Sequence, residues 1–156
     1  HAISCNDVGA ELWRGELVTS PDRSRIMRAV KDKDTAPEWS VRRMLHAAGY
    51  RYRLHCKELP GKPDLCFPSR KKVIFIHGCF WHGHNCKRGA REPKSNVEYW
   101  RAKISRNCER DAAHMAALRS VGWSILILWE CEIKSGTATL NRLKAFLGPS
   151  KASCAL

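Results

Sequence analysis

The segment that most restricts how this chain can fold is residues 76–86, which carry three histidines, two cysteines and two aromatic side chains. It continues an apolar run, residues 73–76, that is short enough to be a buried strand. A rigid strand that delivers polar side chains into a loop is a common way to build a functional site. Three kinds of chemistry compete for this loop: metal binding, acid–base catalysis and aromatic contact with a partner.

Zinc is the metal that the residue types favour. Cys79, His84 and Cys86 lie within eight residues of one another, and Cys131, just after a second apolar run, is a candidate for the fourth ligand. Three thiolates and one imidazole form the soft tetrahedral set that Zn²⁺ prefers, and a closed four-ligand site is structural rather than catalytic. His82 could replace His84 as the ligand, since spacing alone does not separate the two.

Composition indicates a polyanionic partner and a reducing compartment. Lys and Arg total 28 against 15 Asp and Glu, a net charge of +13, which favours nucleic acid over a merely solubilising surface. No apolar run approaches the roughly 18–20 residues that span a bilayer, and the first residues do not resemble a signal peptide. Eight cysteines without a secretory signal therefore favour the cytoplasm. We expect Cys56, Cys66 and Cys108 to be buried as small apolar residues.

Two histidines remain if zinc takes His84. His77 and His82 could each move a proton near pH 7, for example from an attacking water molecule. A lone histidine is more often a satisfied polar residue, but two beside a metal loop on a basic protein make catalysis an equal alternative.

Three carboxylates are candidates for the same site. Asp64 begins a strand that a hairpin could bring beside residues 72–77, and a carboxylate there could bind Mg²⁺; turn chemistry is the alternative. Glu38 also fits a helix capping box with Thr35, and Asp111 also fits a solvated helix face.

The aromatic residues of the loop are candidates for contact with bases. Phe80 and Trp81 cannot both fill the core if the loop is exposed, and aromatic side chains can wedge between bases or stack on them. Trp100 could join the same surface, with core packing as the alternative. Met27 and Val30, on a short basic helix, form a weaker second pair.

The periodicities predict a mixed β-sheet with helices on both faces. Helices are expected at about residues 21–30, 35–48, 95–120 and 138–147, and strands at 50–54, 64–67, 72–77 and 123–129. The second and third strands should form an antiparallel hairpin. Ser95 is expected to cap the long helix. Residues 21–148 then form one domain, with a loosely attached arm at 1–20 and a disordered tail at 149–156.

These motifs resemble one family, the very-short-patch repair (Vsr) endonucleases, which nick DNA at T:G mismatches. The His-Gly-Cys-Phe-Trp-His run beginning at His77 is the most specific match. The matching segments follow the family's order and are residues 24–30, 34–38, 59–64, 76–86, 98–100, 107–111, 122–123 and 129–131.

The resemblance implies an α/β fold with a restriction-endonuclease-like core, a central mixed sheet flanked by helices and a structural zinc site. The zinc ligands it implies are Cys79, His84, Cys86 and Cys131. It further implies catalytic Mg²⁺ bound by Asp64 and the main-chain carbonyl of Ile76, with His82 as the general base. The supporting catalytic groups it implies are His77, Asp111 and Glu38, and the intercalating residues are Phe80, Trp81, Trp100, Met27 and Val30.

The implied activity is hydrolysis of the phosphodiester 5′ of the mismatched T in double-stranded DNA. The enzyme would be a bacterial cytoplasmic monomer acting at the nucleoid, with mismatch-repair proteins as candidate partners and no membrane. One departure is Ile76, where the family usually has Thr; a carbonyl ligand survives that change and a hydroxyl role would not. Two alternatives stay open: a site-specific or homing-type endonuclease that needs no mismatch, and a zinc-stabilised DNA-binding module without catalysis.

Overall fold

The structure is a computed structural model and describes residues 34–150. The predicted arm at residues 1–20, the basic helix with Met27 and Val30, and residues 151–156 of the predicted tail lie outside the described residues. No helix within residues 34–150 is both long and apolar enough to cross a membrane.

Helices and strands follow one another largely in the predicted order. The helices are α1 (Ala36–Ala47), α2 (Val97–Ser120), α3 (Glu130–Ile133) and α4 (Gly136–Leu147). The strands are β1 (Arg53–Leu54), β2 (Leu65–Phe67), β3 (Lys72–His77) and β4 (Ser124–Trp129). A single 3₁₀ turn, Pro68–Arg70, joins β2 to β3.

The four strands form one mixed sheet in the order β1-β2-β3-β4. The first two pairs are antiparallel, with Leu65 opposite Ile74, so the predicted hairpin is confirmed. The last pair is parallel, with His77 opposite Trp129. Parallel neighbours need a crossover connection, and α2 supplies it. The carboxyl ends of β3 and β4 therefore meet at the same edge of the sheet.

Both faces of the sheet are covered, as predicted. Ile74 of β3 packs in one apolar cluster with Leu45 of α1 and Leu143 of α4. The preceding residue, Val73, points the other way and packs with Leu118 of α2. Each such side chain contributes about 1.5–3 kcal/mol when fully buried, which makes the pair β3–β4 the rigid centre of the molecule.

The end of α4 is tied to the β2–β3 turn. Arg70 donates hydrogen bonds to the carbonyls of Leu147, at 2.6 Å, and Pro149, at 2.8 Å. The Lys72 ammonium donates to the carbonyl of Phe146. Cations near the last carbonyls of a helix stabilise it. Pro149, at the described start of the predicted tail, is held by the Arg70 hydrogen bond, and Ser150 is buried.

Several local predictions were wrong. The strand predicted at residues 50–54 pairs only at Arg53–Leu54, because Tyr50 is buried and its hydroxyl donates to the carbonyl of Gly148. The long helix begins at Val97 after Asn96, rather than after a Ser95 cap, because Asn96 adopts the left-handed conformation with φ of 55°.

The capping box at α1 is replaced by a different arrangement. Thr35 is the N-cap, but Glu38 accepts from the main-chain N–H of Asp34 at 3.0 Å and from the Thr35 hydroxyl at 3.2 Å. The cysteine prediction holds for Cys56 and Cys66, which are buried, and is wrong for Cys108, which is exposed on α2.

Candidate active site and metal centre

Four predicted zinc ligands converge where β3 and β4 end. The Cys79, His84, Cys86 and Cys131 donor atoms all lie within 4.8 Å of one another. Cys131, on the short α3 after β4, places its Sγ 3.5 Å from His84 Nδ1. The His84 ring stacks on Trp129, with centroids 4.3 Å apart, which fixes the imidazole beside the thiols.

The donor set fits a tetrahedral zinc ion. Zn–S bonds of about 2.3 Å place two sulfur ligands about 3.8 Å apart, within the spread of these atoms. The main-chain N–H of Gly89 donates to Cys86 Sγ at 3.4 Å and is the main cause that lowers the pKa of Cys86 to about 6. Burial raises the pKa of Cys79 to about 12, so a cation would be needed to hold that thiolate.

Gly89 is required where the loop folds back on itself. A Cβ atom at this position would lie 1.9 Å from the carbonyl oxygen of His84 and 2.9 Å from that of Cys79. Both are backbone atoms that cannot move without displacing a ligand residue. The basic loop at residues 87–94, which contains Gly89, therefore closes tightly over the ligand set.

His82 lies apart from this set, against α2. Its Nδ1 is 2.5 Å from Asp111 Oδ2, so the ring N–H donates to the carboxylate. Its ring also stacks on that of His77, with centroids 3.9 Å apart and planes 6° apart. Burial is the main cause that lowers the pKa of His77 to about 4, so His77 is neutral near pH 7. Burial is the largest single influence on the pKa of Asp111 and would raise it, but the hydrogen bond with His82 and the neighbouring charges together outweigh it, so the pKa is lowered.

Residues of α2 hold the main chain on either side of this pair. Asn107 Nδ2 donates to the carbonyl of Trp81 at 2.9 Å, and Cys108 Sγ donates to the carbonyl of His82 at 3.3 Å. The His82 N–H donates to the carbonyl of Gly78 at 3.2 Å. The result is an imidazole oriented by a carboxylate, which is the arrangement of a general base.

Asp64 immediately precedes β2, next to the end of β3. The main-chain N–H of Ile76 donates to its Oδ2 at 2.7 Å. Burial raises the pKa of Asp64 to about 6; the Ile76 hydrogen bond opposes this and the negative charge of Glu38 adds to it. A partly buried carboxylate that is costly to ionise fits a cation, and Mg²⁺ takes one or two carboxylates together with water and phosphate oxygens.

All five predicted catalytic residues line one cleft of about 570 Å³. They are Glu38, Asp64, His77, His82 and Asp111. Sequence reasoning missed four basic residues on the same walls, which are Lys57, Lys62, Arg110 and His114. Lys62 and Arg110 lie in segments that match the family, but the sequence does not show that the four residues meet, because they come together only when the loop before β2 approaches α2. Lys57, Lys62 and Arg110 place positive charges on these walls beside the carboxylates, where they could contact a phosphate backbone.

The predicted aromatic residues form one cluster beside the loop. Ring centroids are 5.2 Å apart for Phe80 and Trp81, 5.8 Å for Phe80 and Trp100, and 5.6 Å for Trp81 and Trp100. Lys103 places its ammonium 5.4 Å from the Trp100 centroid. All three aromatic side chains are only partly buried. They can therefore be presented to a partner without leaving a core.

Comparisons with known proteins agree on one family. A family model described as "DNA mismatch endonuclease Vsr" matches residues 16–88. The type II nicking enzyme V.XorIIP of Xanthomonas oryzae pv. oryzae is 50% identical over 132 residues, which cover 84% of this chain and 96% of the relative. The type II nicking enzyme V.NmeAIP of Neisseria meningitidis is 42% identical over 82% of this chain and 91% of the relative. The DNA mismatch endonuclease Vsr of Escherichia coli K12 is 40% identical over 72% of this chain and 71% of the relative.

Proposed function

Because this chain belongs to the Vsr family of DNA mismatch endonucleases, we propose that it is a zinc-stabilised, Mg²⁺-dependent enzyme that nicks one strand of duplex DNA at a T:G mismatch. The bond cut would be the phosphodiester 5′ of the mismatched T. The proposal keeps the expectation that the enzyme acts as a monomer, since one cleft cuts one strand.

The observation that carries the proposal is the meeting of His82 and Asp64 in one cleft. His82 is oriented by the Asp111 carboxylate at 2.5 Å, and Asp64 is a partly buried carboxylate bound by the Ile76 N–H. Hydrolysis of a phosphodiester needs a base for the attacking water and compensation for negative charge on the phosphate. His82, as the base, and Asp64, as the carboxylate that would bind a cation, both line this cleft.

The proton transfer can be assigned to one atom. His82 Nδ1 is engaged with Asp111, which leaves Nε2 to take a proton from water. Asp111 stabilises the imidazolium that forms. His77, neutral and stacked on His82, covers one ring face without adding a competing positive charge. The new bond joins the water oxygen to phosphorus and the P–O3′ bond breaks. The departing O3′ takes a proton from solvent water, which gives a 5′-phosphate and a 3′-hydroxyl.

Asp64 and the main-chain carbonyl of Ile76 would hold the divalent cation. When bound, Mg²⁺ would supply charge stabilisation at the scissile phosphate. Glu38, which lines the same cleft and is only 4% exposed, would order water beside Asp64. Ile76 acts in this scheme through its main chain, as its N–H already does towards Asp64, so the isoleucine side chain does not argue for the non-catalytic alternative.

Zinc would keep the loop after β3 in register with the cleft. Cys79 and His84 bracket the segment that carries Phe80, Trp81 and His82. A metal that joins both ends of this segment to Cys131 would fix the base and the aromatic side chains together. The role is structural, as a closed four-ligand set indicates.

The aromatic cluster would read the mismatch by deforming the stack. Phe80, Trp81 and Trp100 present partly buried rings at a common surface, and Met27 with Val30 are proposed to act from the other groove. Unstacking costs less at a mismatched step, so the cost of opening the duplex itself discriminates T:G from matched pairs.

The catalytic assignment is tested by two variants in one nicking assay. Asp64→Ala and His82→Ala should each lose nicking of a T:G duplex in Mg²⁺ by about 100-fold or more, since each removes a group the chemical step needs. Binding of the same duplex, measured by fluorescence anisotropy, should stay near that of the unchanged protein. Nicking by either variant at the unchanged rate would contradict the assignment of that residue.

A further inference from the structure

A cluster of four charged or polar side chains adjoins Asp64 on the α1 side of the cleft. Glu38 and Arg42 are one helical turn apart, and both are only 4% exposed. The Arg42 guanidinium donates to Asp34 Oδ1 at 2.8 Å and to Glu38 Oε2 at 3.0 Å, and it lies 3.3 Å from His55 Nε2. We call these four residues the Arg42 cluster.

The Arg42 cluster is an ion-pair network rather than a further metal site. Ligand atoms of Asp34, Glu38 and His55 lie within 4.8 Å of one another, a spacing that would also suit a metal ion. The guanidinium already supplies a cation there, because the carboxylate oxygens it binds belong to two of those three residues. Its planar fork can bind two carboxylates at once, which a lysine ammonium does less well.

Stability alone does not explain this arrangement. Arg42 Nε is buried and has no hydrogen-bond partner within residues 34–150. A buried ion pair repays its desolvation only when its remaining polar atoms are bonded, and an unpaired buried donor is a cost. A buried guanidinium whose Nε–H is unpaired therefore suggests that Arg42 has a role in the neighbouring site.

The Arg42 cluster reaches the cleft by two routes. Glu38 lines the cleft beside Asp64, and its carboxylate is held from three sides by Arg42, the Asp34 N–H and the Thr35 hydroxyl. His55 donates its main-chain N–H to the carbonyl of Asp64 at 3.3 Å. Arg42 itself does not line the cleft, so any effect it has must pass through these neighbours.

We propose that Arg42 is a positioning residue of the nuclease site, whose guanidinium fixes the orientation of the Glu38 carboxylate beside Asp64. The inference rests on the proposed nuclease function and on the part of Glu38 in it. Arg42 then contributes to the chemical step and not to DNA affinity.

A double-mutant cycle under single-turnover conditions tests this route. Glu38→Gln and Arg42→Gln should each slow T:G nicking in Mg²⁺ by about 10–100-fold, the usual effect of removing a partner of a metal-site group. The double variant should be no slower than Glu38→Gln alone, within about twofold, because Arg42 has nothing left to position. It removes both buried charges together, which protects folding. Arg42→Lys should recover part of the rate lost in Arg42→Gln, with DNA affinity unchanged throughout.

Arg43→Gln is the matched control. Arg43 is exposed, is adjacent in sequence and lies over the Trp39 ring at 6.0 Å, so its loss should leave the rate unchanged. The inference is overturned if Arg42→Gln nicks at the unchanged rate, or if the losses multiply in the double variant. Full activity of Glu38→Gln would overturn it through the role of Glu38. An unchanged protein that nicks no DNA would overturn the proposed function itself.

Discussion

Residues far away in the sequence determine which of His82 and His84 lies in the ligand set. Both histidines fit the spacing of a zinc loop, and the motif alone left them interchangeable. In the structure, His84 meets Cys131, 47 positions later, and His82 meets Asp111, 29 positions later. A local spacing argument cannot reach such partners, whereas the family resemblance did. The roles of the two side chains stay predictions, now with defined contacts.

Other residues show where sequence reasoning ends. Glu38 fits a capping box by pattern, yet its carboxylate binds Arg42 and faces the cleft. Arg42 could not be singled out, because its partner His55 comes close only through the turn before β1. Cys108 was expected in the core because cysteine is usually buried, but it is exposed on α2, where its thiol donates to the carbonyl of His82.

Asp64 makes a pH-dependent prediction about stability. Its pKa in the fold, about 6, is above its ordinary value of 3.8, so folding takes up a proton between those values. The stabilisation by protonated Asp64 is complete below about pH 3.8 and lost as the pH rises through about 6. Asp64→Asn should therefore raise the free energy of unfolding at pH 8 by about 1–3 kcal/mol, without added Mg²⁺.

Thermal melts of both proteins from pH 3.5 to pH 8 measure this difference. The gain should vanish at the acid end, where Asp64 is protonated in both states. Asn keeps an oxygen that can accept from the Ile76 N–H, so the fold should be retained. Nicking should nevertheless be lost, because the neutral amide lacks the negative charge that would bind Mg²⁺. If the variant is less stable than the unchanged protein at pH 8, burial of the ionised Asp64 carboxylate does not destabilise the fold, and the prediction is wrong.

At the scale of elements, the strands β2, β3 and β4 were predictable, whereas β1 and the loop after β3 were not. The strand β3 and the hairpin follow from apolar runs and turn residues, and helices were expected where α2 and α4 lie. The four-residue α3 is too short to show a helical period, yet it carries Cys131. The segment between β3 and α2 has little regular structure, so its shape depends on side-chain partners: the ligand set, Gly89 and α2.

Removing one zinc ligand tests the proposed organisation of this loop. Cys131→Ser should lower the zinc content from about one ion per chain to well below half of that, because Zn²⁺ needs its fourth ligand to close the tetrahedron. The melting temperature should fall with it. Zinc is measured by mass spectrometry of the protein as purified.

Cys108→Ser provides the matched control. Its thiol lies on α2, outside the ligand set, and should retain zinc fully. Equal zinc content in the Cys131 and Cys108 variants would exclude Cys131 as a ligand.

At the scale of the whole molecule, charge and topology converge on one cleft. The parallel pair β3–β4 ends at an edge where the ligand set, the His82–Asp111 pair and the aromatic cluster all meet. The net charge of +13 predicted a polyanionic partner, and four basic residues line the cleft walls. Composition could give the sign of the partner's charge. The position of that charge depends on the fold, since the residues involved come from distant segments.

The nicking rate on a T:G duplex compared with the same duplex carrying a matched pair tests the central claim most directly. With Mg²⁺ under single-turnover conditions, we expect one strand to be cut, 5′ of the mismatched T, about 10–100-fold faster than matched DNA, the ratio that a few kcal/mol of cheaper unstacking supplies. Equal rates on both duplexes would contradict mismatch recognition and favour a site-specific endonuclease. Tight, salt-sensitive binding with no cleavage of either duplex would contradict nuclease activity altogether.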